Sequence, residues 1–155
     1  MFGHQRDKPV VLAVSSGGGH WTQMQRLVPA FGYADVHYAT TEHSASAQVG
    51  ATRLHVYPDG NKDTPVKLLL CAARLAWIVA KVRPDVVIST GAAGGFLAIK
   101  LARLIGARTM FVDSIANARE LSVSARLSLG VADRVLSQWP RVAAKTGAEY
   151  CGAVI

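Results

Sequence analysis

The chain has 155 residues, enough for one domain and too few for two ordinary ones. Half of the residues are hydrophobic and 17% are charged, a composition that fills a core and excludes a disordered chain. Lys and Arg outnumber Asp and Glu 17 to 10, for a net charge of +7, which points to an anionic partner: nucleic acid, an anionic membrane or phosphate.

Pro9–Ser15 (PVVLAVS) is a continuous apolar, β-branched run that stops at glycines, the signature of a strand buried on both faces. From His20 to Phe31 the apolar residues Met24, Leu27, Val28 and Phe31 recur at helical spacing, and Gly32 stops the pattern. Asp35–Thr40 alternates like a half-buried strand. Thr41–Ala51 is small and polar, a loop or loose helix, and Arg53–Tyr57 reads as a short strand closed by Pro58, Asp59 and Gly60. The longest helix is predicted over Pro65–Val82, with Thr64 as its cap and Arg83-Pro84 as its stop. Asp85–Ser89 is a second apolar strand running into glycine. A helix over Ala93–Ile105 follows and stops at Gly106. Arg108–Val112 is a strand, Ser122–Val131 a helix and Arg134–Ser137 a short strand. Gly147–Ile155 ends in a last apolar strand, AVI.

Strand and helix alternate almost throughout, and the strands are of the buried type. The predicted fold is a single α/β domain over residues 1–155, a parallel sheet with helices on both faces. Its ending on an apparent strand is what half of a two-domain architecture would show. Ligands of such sheets bind at the carboxyl ends of the strands. Three of those ends carry unusual chemistry.

The first is Ser15-Ser16-Gly17-Gly18-Gly19-His20. Glycines between a strand and a helix let the backbone approach a ligand, and the free N–H groups and dipole of the helix start favour phosphate. Ser16, Gly17, Gly18 and Gly19 are candidate diphosphate contacts, and His20 is the candidate for proton transfer. The competing reading is a turn whose glycines serve packing alone. The dinucleotide fingerprint fails here, because Thr22 stands at the third glycine position and Thr40-Thr41, followed by Glu42, stand where the ribose-binding acid belongs. The Walker pattern also fails. The second end is Ser89-Thr90-Gly91-Ala92-Ala93-Gly94-Gly95, which either closes the same pocket through Thr90, Gly91 and Gly94 or packs a helix on the sheet. The third is Asp113–Glu120, where Asp113, Ser114 and Asn117 could meet an acceptor or Asp113 could cap a helix.

On the Pro65–Val82 helix, Lys67, Arg74 and Lys81 share one side, with Trp77 and several leucines between them. A basic, Trp-bearing amphipathic helix suits a membrane interface, and a solvated surface helix would read similarly. His37, His43 and His55 are scattered without ligand spacing, no metal cluster is expected, and Cys71 and Cys151 read as reduced thiols. The short polar N-terminus and the lack of any run of ~18 uncharged apolar residues predict a cytoplasmic protein with peripheral membrane contact at most.

The motifs Ser15–His20, Asp85-Val86-Val87-Ile88-Ser89-Thr90-Gly91-Ala92 and Ala132-Asp133-Arg134 with Gln138-Trp139-Pro140 resemble, in the same order and over nearly the whole chain, the asparagine-linked glycosylation protein fourteen family. The likeness is greatest to its bacterial PssD-type capsule and exopolysaccharide members. It extends distantly to the N-terminal half of MurG-like GT-B enzymes. The resemblance implies the Rossmann-like N-terminal half of a GT-B glycosyltransferase. Such a half is a membrane-associated subunit that binds a polyprenyl-diphosphate-linked acceptor, while a separate catalytic subunit holds the UDP-sugar, of the UDP-GlcNAc type, in polysaccharide biosynthesis.

Carried over, Gly17, Gly18, Gly19 and His20 face the acceptor diphosphate, Asp113, Ser114 and Asn117 line the cleft, and Gly152, Ala153, Val154 and Ile155 lie near the partner. The enzyme would need no cofactor and be inactive alone, at the inner face of the cell membrane. The family's usual Glu is Asp113 here, its frequent Arg near Asn117 is missing, and the N-terminal span of eukaryotic members is absent, which puts weight on the 65–82 helix. Two rivals remain: a self-contained nucleotide-binding domain, either an NAD(P)-type oxidoreductase or a regulatory module, and a nucleic-acid-binding module. Dispersed cations without interleaved aromatics argue against the second.

Overall fold

The computed structural model of the chain describes residues 7–49 and 53–155. Six strands form one sheet: β1 (Val10–Ser15), β2 (Asp35–Thr40), β3 (Leu54–Val56), β4 (Val86–Ser89), β5 (Arg108–Val112) and β6 (Arg134–Leu136). Their order is β3-β2-β1-β4-β5-β6, and every pairing is parallel. The chain starts in the middle, works outward to one edge, then crosses back to build the other half. The switch point lies between β1 and β4, where Val14 pairs with Ser89, and this is where such sheets open a crevice at their carboxyl ends.

The helices are α1 (Gly19–Leu27), which runs into a 3-10 turn at Val28–Phe31; α2 (Ser46–Val49), preceded by a 3-10 turn at His43–Ala45; α3 (Pro65–Val82); α4 (Ala92–Leu104); α5 (Val123–Ser128); and α6 (Pro140–Thr146). Alternation along β1 assigns the faces. Val10, Leu12 and Val14 join Cys71, Leu75, Ile78, Ala98, Ile99, Ala125 and Val142, so α3, α4, α5 and α6 all cover one face. Val11 and Ala13 join Trp21, Met24, Phe31, Tyr38 and Ala45, so the other face is covered by α1 and the short 43–49 helices. Helices do flank both faces, as predicted, but unequally. Over Ile88, Met110, Val112 and Leu136 the second face bears an apolar groove of about 320 Å³. Leu27, Phe31 and Tyr33 form one wall and Cys151–Val154 the other.

Several predicted details need correction. The tail forms no strand: Glu149 makes an isolated bridge to Leu136, and residues 150–155 are irregular. The AVI tripeptide has strand-like residues, but the parallel ladder beside β6 ends at that single bridge. The unforeseen helix α6 carries its own signals, Pro140 in its first turn and Gly147 at its end with φ of 81°. The helix predicted over Ser122–Val131 ends at Ser128. Thr64 precedes α3 without capping it, because its hydroxyl accepts from the Asn61 amide instead. Of the polar segment Thr41–Ala51, residues 50 and 51 lie outside the described residues. His37 and His55 are not scattered: β2 and β3 stack their rings, with Nδ1 of one 3.2 Å from Nε2 of the other.

Candidate functional site

The glycine loop leaves β1 at Ser15 and enters α1 at Gly19, with Gly18 in the left-handed region at φ 67°. The first helical bond runs from the Thr22 N–H to the Gly18 carbonyl, so the amides of Gly19, His20 and Trp21 stand ahead of it, and Gly18 and Gly19 are exposed. The loop therefore presents free amide groups at an exposed helix start. The end of β2 shapes it. The Gly17 amide donates to Thr41 Oγ1 (2.9 Å) and the Gly18 amide lies 3.4 Å from Glu42 Oε2. A Cβ on Gly17 would stand 2.9 Å from that carboxylate. Glu42 thus sets a carboxylate against the glycine loop, which sequence spacing alone did not show.

His20, in the first turn of α1, is locked to the β4 loop by two reciprocal bonds. Its Nδ1–H donates to the Thr90 carbonyl (3.0 Å), and the Thr90 hydroxyl donates to the His20 carbonyl (2.8 Å). A carbonyl oxygen only accepts, so the neutral ring carries its proton on Nδ1 and its lone pair on Nε2. Gly91 makes room for the ring: its φ is 148°, and a Cβ there would lie 2.2 Å from His20 Nδ1. The two glycine loops predicted at neighbouring strand ends therefore do meet, through His20, Thr90 and Gly91.

Their roles differ from those expected. Thr90 and Gly91 are buried, and they hold the histidine rather than presenting a surface. Gly94, assigned to the acceptor, is buried too. It serves packing, since a Cβ would strike the Tyr57 ring at 2.6 Å.

The Asp113 loop is organised inward as well. Asp113 is 2% exposed; its Oδ1 accepts from Asn117 Nδ2 (2.9 Å) and its Oδ2 from the Ser122 amide (3.0 Å). Ser114 Oγ accepts from the Ala116 amide, and Ser122, not Asp113, caps α5 through the Ala125 amide. Asp113 and Asn117 thus spend these groups in shaping the loop, whose exposed part is Ala116 and Ala118–Glu120.

Two buried glutamines missed by sequence reasoning fasten this loop. Gln23 of α1 donates to the Val112 and Asp113 carbonyls and accepts from the Ile115 amide, and Gln138 after β6 donates to the Asp113 carbonyl at 2.9 Å. Trp139, its neighbour in the Gln138-Trp139-Pro140 motif, also donates from Nε1 to the Ile115 carbonyl (2.7 Å).

On α3, Lys67, Arg74, Trp77 and Lys81 are all exposed, in one stripe with Val66, Leu69 and Leu70. The Arg74 guanidinium and the Lys81 ammonium lie 4.4 and 4.8 Å from the Trp77 ring centre. No helix among the described residues is long and apolar enough to cross a membrane. No cluster of metal-binding side chains is present among them either. At the tail, Gly152, Ala153 and Val154 line the apolar groove, and Ile155 is exposed.

The fold is a Rossmann-like α/β domain that recurs within larger solved proteins. It superposes on MurG of Acinetobacter baumannii with a TM-score of 0.67 at 17% identity, covering 86% of this chain and 43% of that one. With UDP-N-acetylglucosamine 2-epimerase of Rickettsia bellii the TM-score is 0.68 at 13% identity, covering 94% and 45%. The chain thus spans less than half the length of either solved structure. Residues 59–154 match the family described as oligosaccharide biosynthesis protein Alg14 like, and the chain belongs to that family. Among curated proteins it is 25% identical, over an alignment of 185 positions, to the UDP-N-acetylglucosamine transferase subunit ALG14 of Yarrowia lipolytica; the alignment takes in 100% of this chain and 85% of that protein.

Proposed function

We propose that this chain, a single domain, is the acceptor-binding subunit of a two-component glycosyltransferase that transfers a sugar from a UDP-sugar, of the UDP-N-acetylglucosamine type, to a polyprenyl-diphosphate-linked sugar in polysaccharide biosynthesis. A separate subunit holds the donor, and this chain is inactive without it. The observation that carries the reading is His20, clamped by Thr90 and Gly91 beside a glycine-rich helix start, in a chain of the Alg14-like family. The amides ahead of α1 and its positive dipole end receive the acceptor diphosphate. Ser16–Gly19 lie at that mouth, and the Asp113–Asn117 loop forms the far wall.

The reaction needs the acceptor hydroxyl to lose its proton as its oxygen bonds to the anomeric carbon and the bond from that carbon to the UDP oxygen breaks. His20 Nε2, unprotonated in the tautomer that Thr90 selects, takes that proton. No cofactor is required of this chain. The apolar groove beside Gly152–Ile155 is the surface that receives the donor-binding subunit. The α3 stripe rests on the inner face of the cell membrane, where the acceptor's lipid lies.

The test is reconstitution: co-express the chain with its donor-binding partner, purify the complex and measure sugar transfer to a polyprenyl-diphosphate acceptor. Transfer by the pair and by neither chain alone is expected. The absence of a complex and of transfer overturns the reading. In the active pair, His20→Ala should lower turnover by about 10²-fold or more while acceptor affinity is retained. Unchanged turnover removes His20 as the base.

A further inference from the structure

Gln138 is 3% exposed, and its amide bridges two parts of the molecule that sequence keeps apart. Its Nε2 donates to the Asp113 carbonyl (2.9 Å), and its Oε1 accepts from the Val154 amide (2.7 Å). The partners fix the amide's orientation, since a carbonyl takes only a donor and an N–H only an acceptor. The same Asp113 carbonyl also receives Gln23 Nε2 at 3.3 Å, and Trp139, next in sequence to Gln138, holds the Ile115 carbonyl. The loop is therefore held from α1 on one side and from the Gln138-Trp139 pair on the other. Of these fastenings, Gln138 is the one that also reaches the tail.

We propose that Gln138 is a positioning residue that couples the Gly152–Ile155 tail to the Asp113–Asn117 loop, so that ordering the tail orders the loop. This rests on the reading above, in which the tail meets the donor-binding subunit and the loop lines the acceptor cleft. Under it, docking of the partner tightens the acceptor site, and by reciprocity the acceptor tightens the partner. A buried amide suits the task. Losing the Val154 N–H leaves Oε1 without its donor, which weakens the register of the whole side chain and hence its grip on the Asp113 carbonyl.

The test uses the full chain. Val154→Pro removes the N–H and keeps an apolar side chain, whereas Val154→Ala keeps the N–H and trims the side chain. In the isolated protein, Val154→Pro should speed amide exchange at Asn117 and Ser122 by about fivefold, the worth of one hydrogen bond, and Val154→Ala should leave it unchanged. In a Gln138→Met background, Val154→Pro should add nothing. Unchanged exchange in Val154→Pro, or an effect that adds fully to that of Gln138→Met, overturns the coupling.

In the reconstituted pair, assayed with the partner in saturating excess, Val154→Pro should raise the acceptor KM by more than it lowers kcat, and Val154→Ala should keep the wild-type KM, a split that general loosening of the fold would not give. Exchange that responds while KM does not would keep the coupling and overturn the assignment of the loop to the acceptor.

Discussion

At Gly91 a backbone angle and a side chain elsewhere in the chain define each other. The φ of 148° is open to glycine, and the space a Cβ would fill belongs to the His20 ring. Gly91→Ala should therefore displace the imidazole and break its bond to Thr90. The expected outcome is a loss of turnover of at least about tenfold in the reconstituted pair, and destabilisation of about 1–3 kcal/mol from the strained backbone. Turnover and the melting midpoint together check it; full turnover at a lowered midpoint would show that His20 does not act from this position. The sequence pointed to both residues, because glycine and histidine at strand ends announce themselves. It did not pair them, since they lie on different strand–helix turns and only the parallel β1–β4 register brings those turns together. Gln23 gave no such signal, and Gln138 stood out only as part of a family motif, with no contact attached to it. A glutamine in a helix or a loop reads as solvated, and burial against main-chain carbonyls is a tertiary fact.

At the scale of elements, the strands and long helices were legible because their periodicities are strong. Asp35–Thr40, Pro65–Val82 and Arg108–Val112 have the predicted limits. The errors gather after Gln138, where elements are short and the outcome depends on the sheet edge. The pairing of β2 with β3 was equally out of reach. It places His37 against His55, beside Asp35, Arg53, Arg74 and Lys81. Burial, then His37 and the nearby cations Lys81 and Arg74, push His55 down to about 4, and burial first of all lowers His37 as well.

Both groups bind protons more readily in the unfolded chain than in the folded one. Their favourable contribution is complete above about pH 6.5 and is lost as pH falls from there through about 4. The melting midpoint of the wild type should fall between pH 7 and pH 5, and that of His55→Asn should fall less over the same interval. Parallel curves for the two proteins would remove the pair as the cause.

For the molecule as a whole, the surplus of 17 basic over 10 acidic residues gains direction from α3. Lys67, Arg74 and Lys81 share the exposed side of that helix with Val66, Leu69, Leu70 and Trp77. In co-sedimentation with vesicles containing phosphatidylserine, the protein should bind, and added salt should weaken the binding. Replacing all three cations by alanine should reduce affinity by about 10²-fold, at about 1 kcal/mol for each. Binding that is indifferent to salt and to these substitutions would place the membrane contact elsewhere.

The strand order has a further consequence. β1 occupies the middle of the sheet between β2 and β4, yet β4 begins at Val86, and Val10 finds the Asp85 carboxylate only from that side. A ribosome adding about 5–20 residues per second needs several seconds to pass from one strand to the other. Throughout that interval a strand that ends up buried along its whole length waits with one edge open, in reach of chaperones and of other nascent chains.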